Sequence, residues 1–307
     1  MKQYLSLFFC VFLFVFSFAQ QKSAALPDTL KKAAAIIPAT KEQETQTEPS
    51  IRFGLRVTPS YNWYKVVSKT MSPAAGALKF GGGLFIERRM TKTVSLQTGV
   101  GIELCGGSIS YKNDPSGEVG TYTTRYFYSK VDEDIVKYNS EHRNDPSYQE
   151  YLLLERKYKN TYLSIPLNLK MKTAEVSGLR FFGQIGPEFQ FRWNAHADDR
   201  VQSITTNMLQ TNLQLGPEEE LTKLNIKQDI GFFNLLINMG IGAEYNLGGT
   251  TSLFVGLNYY LGIFNPVDND SYFISRVYQS TPTAFEENKL KQDLRANLLG
   301  LTIGVLF

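Results

Sequence analysis

The sequence has few cysteines, histidines and tryptophans, and it has only one long apolar run. Each of these three residue types occurs twice in 307 residues. The mean hydropathy of −0.21 excludes a bundle of membrane helices, because residues 4–19 form the only continuously apolar run. The formal net charge of +3 is too small to attract a polyanion, so we predict no nucleic-acid partner.

The amino-terminal segment has the pattern of a secretory signal peptide. Lys2 supplies a positive charge, an apolar stretch follows, and Ser17 and Ala19 are small residues suited to cleavage. We predict a signal peptide at 1–19, whose removal would leave Cys105 as the one cysteine and exclude an intrachain disulfide. A membrane anchor is the alternative, but the run is shorter than the roughly 20 residues that span a bilayer.

Residues 20–50 lack apolar periodicity and are rich in Lys, Ala, Thr, Gln, Glu and Pro. Such a composition buries too little apolar surface to fold, so we predict a disordered periplasmic linker. The alternative is a periplasmic tether that touches another protein.

From residue 51 onward, apolar and polar residues alternate. The closing run is typical: Leu299, Leu301, Ile303, Val305 and Phe307 form one apolar face, as expected for a β-strand. The same period recurs in seven earlier segments, at 53–57, 80–86, 94–104, 163–171, 179–191, 233–241 and 253–261. We therefore predict eight strands.

The connections between these strands alternate in length. The short ones lie at 90–93, 174–177 and 246–250, and the long ones at 63–78, 106–160, 194–228 and 265–293. This alternation is typical of an all-β, antiparallel, up-and-down transmembrane β-barrel with short periplasmic turns and long extracellular loops. We predict such a barrel over 51–307 in the cell outer membrane. Ten strands are the variant, if part of the second or fourth loop enters the membrane.

A soluble barrel of the lipocalin kind is the structural alternative, because a period of two does not say which face points outward. Inward glycines and one-sided long loops favour an apolar exterior and a charged, narrow lumen. Trp63 and Trp193 then lie at the extracellular membrane boundary as an aromatic belt. We predict that the lumen is closed by an ionic network of Arg52, Arg56, Glu87, Glu103, Lys170, Arg180, Glu188, Arg192 and Glu244.

Evidence for catalysis or metal binding is sparse. His196 is followed by two aspartates and His142 lies beside Glu141, and both patterns are more typical of solvated loops than of a general base. The acidic run at 268–270 lacks the spacing of a calcium loop. We predict no metal, no cofactor and no enzymatic activity. The second long loop is the best binding candidate, because it is rich in tyrosine.

The run Tyr-Leu-Ser-Ile-Pro-Leu-Asn-Leu-Lys at 162–170 and the closing run at 299–307 resemble the PorT-like family of outer-membrane β-barrels from Bacteroidota. The resemblance covers residues 51–307 and implies the fold and the location. It also implies that Phe307, on its alternating strand, belongs to an assembly signal read by the barrel assembly machinery. PorT is associated with gliding and type IX secretion, but the extended loop at 106–160 departs from the family pattern.

These observations predict an integral outer-membrane barrel with a closed lumen and a binding, assembly or structural role through its extracellular loops. The expected partners are outer-membrane lipid, the barrel assembly machinery and an unidentified protein or surface ligand. The alternative is a small-solute channel or a component of outer-membrane transport or secretion. A third interpretation is an outer-membrane hydrolase that uses His196.

Overall fold

The computed structural model describes residues 49–114, 121–204, 215–267, 273–278 and 285–307. The predicted signal peptide, most of the predicted linker and the acidic run at 268–270 lie outside these residues. The described strands are β1 (Ile51–Val66), β2 (Met71–Pro73), β3 (Ala77–Arg89), β4 (Val94–Tyr111), β5 (Tyr122–Ser129), β6 (Asp134–Val136), β7 (Tyr148–Lys172), β8 (Leu179–Ile204), β9 (Leu215–Asn225), β10 (Phe233–Gly248), β11 (Thr251–Gly262), β12 (Ile274–Tyr278), β13 (Phe285–Lys289) and β14 (Leu294–Leu306). A short 3₁₀ helix spans Ser140–Asn144.

Eight of these strands form a closed antiparallel ring. Around the ring the order is β1, β3, β4, β7, β8, β10, β11 and β14, and β14 pairs with β1 to close it. Neighbours in the ring follow one another along the chain, so the barrel is an up-and-down meander. The eight-stranded prediction is confirmed, and the ten-stranded variant is not adopted.

The short connections lie at one end of the ring, as predicted. One joins β3 to β4, where Thr91 Oγ1 accepts a hydrogen bond from the Val94 amide at 3.0 Å. Another joins β10 to β11 through Gly249, whose φ of +61° lies in the left-handed region that glycine adopts without strain. Short turns at the periplasmic end leave every long connection on the extracellular side.

Side-chain exposure along the strands decides between a membrane barrel and a soluble one. On β1, Phe53 is 52% exposed whereas its neighbour Arg52 is 3% exposed, and the alternation continues along the strand. On β4, β11 and β14 the exposed large residues, such as Val100, Leu257 and Leu301, belong to the apolar sets that define these strands in the sequence, and the other members of those sets are partly exposed. The apolar face therefore points outward, towards lipid, and the soluble alternative is wrong. No helix in the described ranges is long and apolar enough to cross a membrane.

The ring continues outward as an extracellular sheet, which we call the extension. It is built on the outer ends of β7 and β8, which are 25 and 26 residues long. On one side β5, β12 and β13 add to β7, and on the other side β9 adds to β8. The predicted loop segment before residue 160 is thus largely strand, because β7 begins at Tyr148.

A β-bulge separates the extension from the membrane part of β8. Tyr162 pairs with Arg192, but the preceding Thr161 pairs with Asn194, so Trp193 is an extra residue on β8. Below the bulge the inward residues of β8 are even-numbered, as at Glu188. Above it the fully buried residues are odd-numbered: Ala195, Ala197, Asp199 and Val201.

Candidate functional site

The periplasmic end of the lumen holds a cluster of five buried charges. Arg52 Nη2 lies 2.8 Å from Glu87 Oε1 and 3.3 Å from Glu244 Oε2. Lys170 Nζ lies 3.2 Å from Glu87 Oε2, and Lys172 Nζ lies 2.9 Å from Glu244 Oε2. Lys170 also pairs with Glu244, and Lys172 with Glu87. Three cations and two carboxylates from β1, β3, β7 and β10 therefore meet on the barrel axis.

An aromatic layer packs beside this cluster. Phe85, Phe182, Phe254 and Leu306 form a buried apolar group inside the ring. Lys170 Nζ lies 4.1 Å from the centre of the Phe182 ring and 5.3 Å from that of Phe254. Ring faces attract cations, so these two aromatics stabilise the positive charge that the two carboxylates leave unbalanced.

A second charged group lies nearer the middle of the lumen. Arg56 Nη2 lies 3.2 Å from Glu103 Oε1 and 4.0 Å from Glu188 Oε2. Two carboxylates thus share one guanidinium, and Glu188 Oε2 has no hydrogen-bond partner. The Glu103 carboxylate crosses Gly81, where an added Cβ would lie only 1.5 Å from Glu103 Oε2. Glycine at 81 therefore makes room for the carboxylate.

Neutral polar side chains fill the lumen between and above the charges. Asn258 links two strands, since its Nδ2 donates to Thr302 Oγ1 at 2.8 Å and its Oδ1 accepts from Gln184 Nε2 at 2.7 Å. Asn238 donates to Asn168 at 3.3 Å across the barrel. An eight-stranded ring has an interior about as wide as the side chains that enter it, and these residues point into that interior.

The predicted lumen residues do not all join these clusters. Arg180 lies at the periplasmic turn with its side chain 22% exposed and pairs with Glu175 at 2.6 Å. Arg192 forms no ion pair within the described ranges, and its Nε is buried without a hydrogen-bond partner. Lys172 was missing from the prediction, although it continues the inward register of Asn168 and Lys170. The sequence pattern placed the strand end one residue too early.

A third buried charge cluster lies inside the extension and was not predicted. Arg156 makes two hydrogen bonds of 2.7 Å to the Asp199 carboxylate and a third of 3.2 Å to Asp229. Its guanidinium lies 4.3 Å from the centre of the Phe273 ring. Burial opposes ionisation of Arg156, but Asp199 outweighs it and raises the pKa of Arg156 well above its usual value. No periodic signal marked this arginine, because it lies in a segment read as a polar loop.

The tyrosines of the second long loop build the core of the extension. Tyr111, Tyr126, Tyr151 and Tyr158 are all buried there. Tyr111 and Tyr158 both donate to Gln292 Oε1, at 3.3 and 3.2 Å. These four side chains are therefore part of the packing and not of a displayed contact surface, whereas Tyr128, Tyr138 and Tyr148 are partly exposed.

Neither histidine has the surroundings of a general base. His196 Nε2 lies 2.9 Å from Asn194 Nδ2, while its Nδ1 is buried without a partner. Asp198 forms its ion pair with Lys159, and Asp199 with Arg156. His142 stacks on Tyr148 with 3.9 Å between ring centres. In the described ranges no carboxylate hydrogen-bonds either imidazole, and no group of His, Cys, Asp and Glu is arranged to hold a metal.

The belt and closing-strand residues lie on the outward face. Trp63 lies 5.8 Å from Tyr61 and 6.2 Å from Tyr259 between ring centres, and Trp193 is 71% exposed. Phe307 follows β14, and its backbone exchanges hydrogen bonds of 2.8 and 2.9 Å with Phe53. The terminal residue therefore takes part in closing the ring.

Comparison with known proteins places the chain in a family. A family model described as "Outer membrane protein beta-barrel domain" matches residues 18–267. The chain belongs to this outer-membrane β-barrel family. The protein is accordingly located in the cell outer membrane, as its lipid-facing apolar exterior requires. No curated protein matches the sequence.

Solved structures similar to this barrel include three from different bacteria. Ail of Yersinia pestis, in complex with a heparin analogue, has 8% identity and a TM-score of 0.32, over 84% of this chain and 100% of that one. A major outer membrane protein from Thermus thermophilus has 10% identity and a TM-score of 0.35, over 84% and 99%. The outer membrane protease OmpT from Escherichia coli has 9% identity and a TM-score of 0.32, over 86% and 99%.

Proposed function

We propose that this barrel is closed to solutes and acts through its extension as a binding or assembly module of the outer membrane. The proposal rests on the charged side chains that occupy the lumen. The cluster of Arg52, Glu87, Lys170, Lys172 and Glu244 occupies the periplasmic end, and each charge contacts at least one of opposite sign. A small solute would have to separate these pairs, and a buried charge without its partner costs several kcal/mol.

The extension offers a surface suited to a protein or surface ligand. Its sheet ends on one side at β9, whose outer edge is not paired with another strand of the described ranges. Glu218, Glu219 and Glu220 follow one another on β9 and are exposed. Unpaired strand edges bind extended chains, and charges on an edge restrict which chains can pair with it.

The proposed role is not enzymatic. The His196 imidazole contacts an amide instead of a carboxylate, so it lacks the group that would orient it and stabilise its charged form. A double variant His142→Gln/His196→Gln should therefore complement a deletion strain, reversing any phenotype of the deletion as well as the unchanged protein does. Loss of complementation by a folded double variant would favour a hydrolase.

A component of outer-membrane transport or secretion is the alternative to this proposal. The resemblance of residues 162–170 to the PorT-like family supports that alternative. Outer-membrane lipid and the barrel assembly machinery are the further proposed partners, with no nucleic acid among them. No cofactor forms part of the proposed role.

Single-channel recording tests the closed lumen. The refolded full chain in a planar bilayer should show no steady conductance. A steady conductance that changes in Glu103→Gln or Arg56→Gln would identify a small-solute channel and overturn the closed lumen.

Site-specific crosslinking on intact cells tests the role of the extension. A photoreactive residue at Glu220, on the outer edge of β9, should form a discrete adduct. The matched control is the same residue at Lys92, in the periplasmic turn between β3 and β4, which should not form that adduct. Absence of any adduct from several exposed positions of β9 would contradict binding at this edge.

A further inference from the structure

We propose that Lys79, Lys157 and Lys159 form a site for the phosphate groups of a glycolipid in the outer leaflet. We call these three residues the rim lysines. Lys157 and Lys159 lie on the outward face of β7 and are exposed to solvent. Lys79 belongs to β3, two strands away in the ring.

Glycine on the intervening strand brings Lys79 to the other two. On β3, Lys79 has the inward register of Gly81 and Phe85. The pairing of β3 with β4 ends at Gly81, however, so beyond that point the Lys79 side chain can pass between the two strands to β4. Gly106 of β4 is paired with Lys159 of β7. An added Cβ at Gly106 would lie 3.0 Å from Lys79 Cε, so the Lys79 side chain runs directly over this glycine. No bulky side chain at position 106 therefore separates Lys79 from Lys159.

The positive charge of this group is only partly neutralised. Asp198 of β8 pairs with Lys159, whose side chain is still 43% exposed. Lys79 and Lys157 form no ion pair within the described ranges. The nearest carboxylate along β7, that of Glu155, is paired with Arg200 at 3.3 Å. The three ammonium groups thus share one carboxylate, that of Asp198, and their positive charge exceeds its negative charge.

Their height relative to the membrane indicates which anion this is. Lipid-facing residues continue along β7 from Met171 to Leu163, and Thr161 and Lys159 follow on the same face. At about 3.3 Å per residue and a tilt of about 40°, Lys159 lies about 30 Å above Met171. The apolar band of such barrels is about 25 Å tall, so the rim lysines lie at the headgroup level of the outer leaflet.

Lipid phosphates fit these positions better than a soluble anion does. Lysine side chains beside a lipid surface point their charge at the headgroups while their apolar stems stay in contact with the acyl boundary. The occupant lies outside the ring, against the outward faces of β4 and β7. A lipid already held against Leu163 and Leu104 loses less freedom than a free ion does when its phosphates bind the rim lysines.

A binding titration with the refolded full chain tests the site. The chain in neutral detergent micelles is titrated with fluorescent bisphosphorylated lipid A and, separately, with its dephosphorylated form. The variant Lys79→Gln/Lys157→Gln/Lys159→Gln should bind the phosphorylated lipid about 30-fold more weakly at low salt, the size expected from two unpaired lysines at an anionic surface. Binding of the dephosphorylated form should be weak and equal in both proteins.

A matched variant controls for the loss of three positive charges. Lys92, Lys112 and Lys137 are exposed lysines elsewhere on the barrel, and their joint replacement by glutamine should leave lipid affinity unchanged. Lys157→Gln alone, at an exposed position, should show part of the loss even if the triple variant folds poorly. Equal affinity of the rim and control variants, or equal binding of both lipid forms by the unchanged chain, would overturn the proposal.

Competition distinguishes the lipid from free phosphate. A large molar excess of inorganic phosphate should leave most of the lipid bound, because a free ion lacks the acyl contacts with the outward face. Displacement of most of the lipid by the same excess of inorganic phosphate would make the site a general phosphate site and would refute its assignment to a lipid.

Discussion

The same substitution, Glu to Gln, should destabilise the barrel in one charge group of the lumen but not in the other. Glu87 is one of two carboxylates that face three cations, and it contacts Arg52, Lys170 and Lys172. Glu87→Gln leaves three cations with one carboxylate. Removing one partner from a buried ion pair costs about 3–5 kcal/mol, so we expect the free energy of unfolding to fall by that amount.

Glu103→Gln should have no such cost. Glu103 and Glu188 share the guanidinium of Arg56, and like charges at one site disfavour each other. Replacing one carboxylate by an amide leaves one cation and one anion. We therefore expect the free energy of unfolding to stay within about 1 kcal/mol of the unchanged protein, or to rise.

Equilibrium urea unfolding in lipid vesicles, followed by the fluorescence of Trp63 and Trp193, measures both effects. With equal slopes, the difference between the midpoints multiplied by the slope m gives the difference in free energy of unfolding. Glu220→Gln, at an exposed position of β9, is the matched control and should change little. If Glu103→Gln destabilises the barrel as much as Glu87→Gln does, charge balance is not what holds these groups, and the reasoning is refuted.

Three further predictions concern the extension and the closing strand. Arg156→Met removes the cation that pairs with the buried Asp199 and one of the groups that contact Asp229, so it should make the extension sensitive to protease on intact cells while the ring stays protected; equal protection would contradict this. Burial raises the pKa of Tyr158 to about 12. The neutral phenol therefore contributes its full stability below about pH 10, and this contribution is lost as the pH rises through about 12. Tyr158→Phe should remove one tyrosine from the step in absorbance near that pH. Deleting Phe307 should slow insertion of the barrel into the outer membrane of cells. It should change the unfolding midpoint of the refolded barrel by less than Glu87→Gln does. Insertion at the normal rate would argue against an assembly signal at Phe307.

The membrane part of the fold was predictable because lipid imposes a strict rule on it. Every second residue of a membrane-spanning strand faces hydrocarbon and must be apolar. The alternation of the last strand, up to Val305 and Phe307, therefore does not depend on which residues face the lumen. The inward positions of Glu87, Glu103 and Glu244 follow from the same alternation. Arg180 shows the limit of this argument. The period predicts the face on which a residue lies, but it does not predict how far the residue is from the end of the strand.

The extension was not predictable in the same way. Its strands have water on one side and protein on the other, so polar and aromatic residues are accepted on both faces. Arg156 and Asp199 are paired through contacts between β7 and β8 that no local pattern encodes. The same holds for the tyrosines, whose composition suggested display although Tyr126 and Tyr158 are buried.

The bulge at Trp193 makes the two halves of β8 independent in their sequence requirements. Inserting or deleting one residue within a strand normally exchanges the inward and outward faces of the residues beyond it. In β8 the extra residue Trp193 makes this exchange once, at a position outside the charged lumen. A shift of one residue above the bulge would turn Asp199 away from Arg156 but would leave Glu188 pointing at Arg56, so the register of each end of β8 is set separately. The charged interior of the barrel therefore does not fix the register of the extracellular sheet that is built on it.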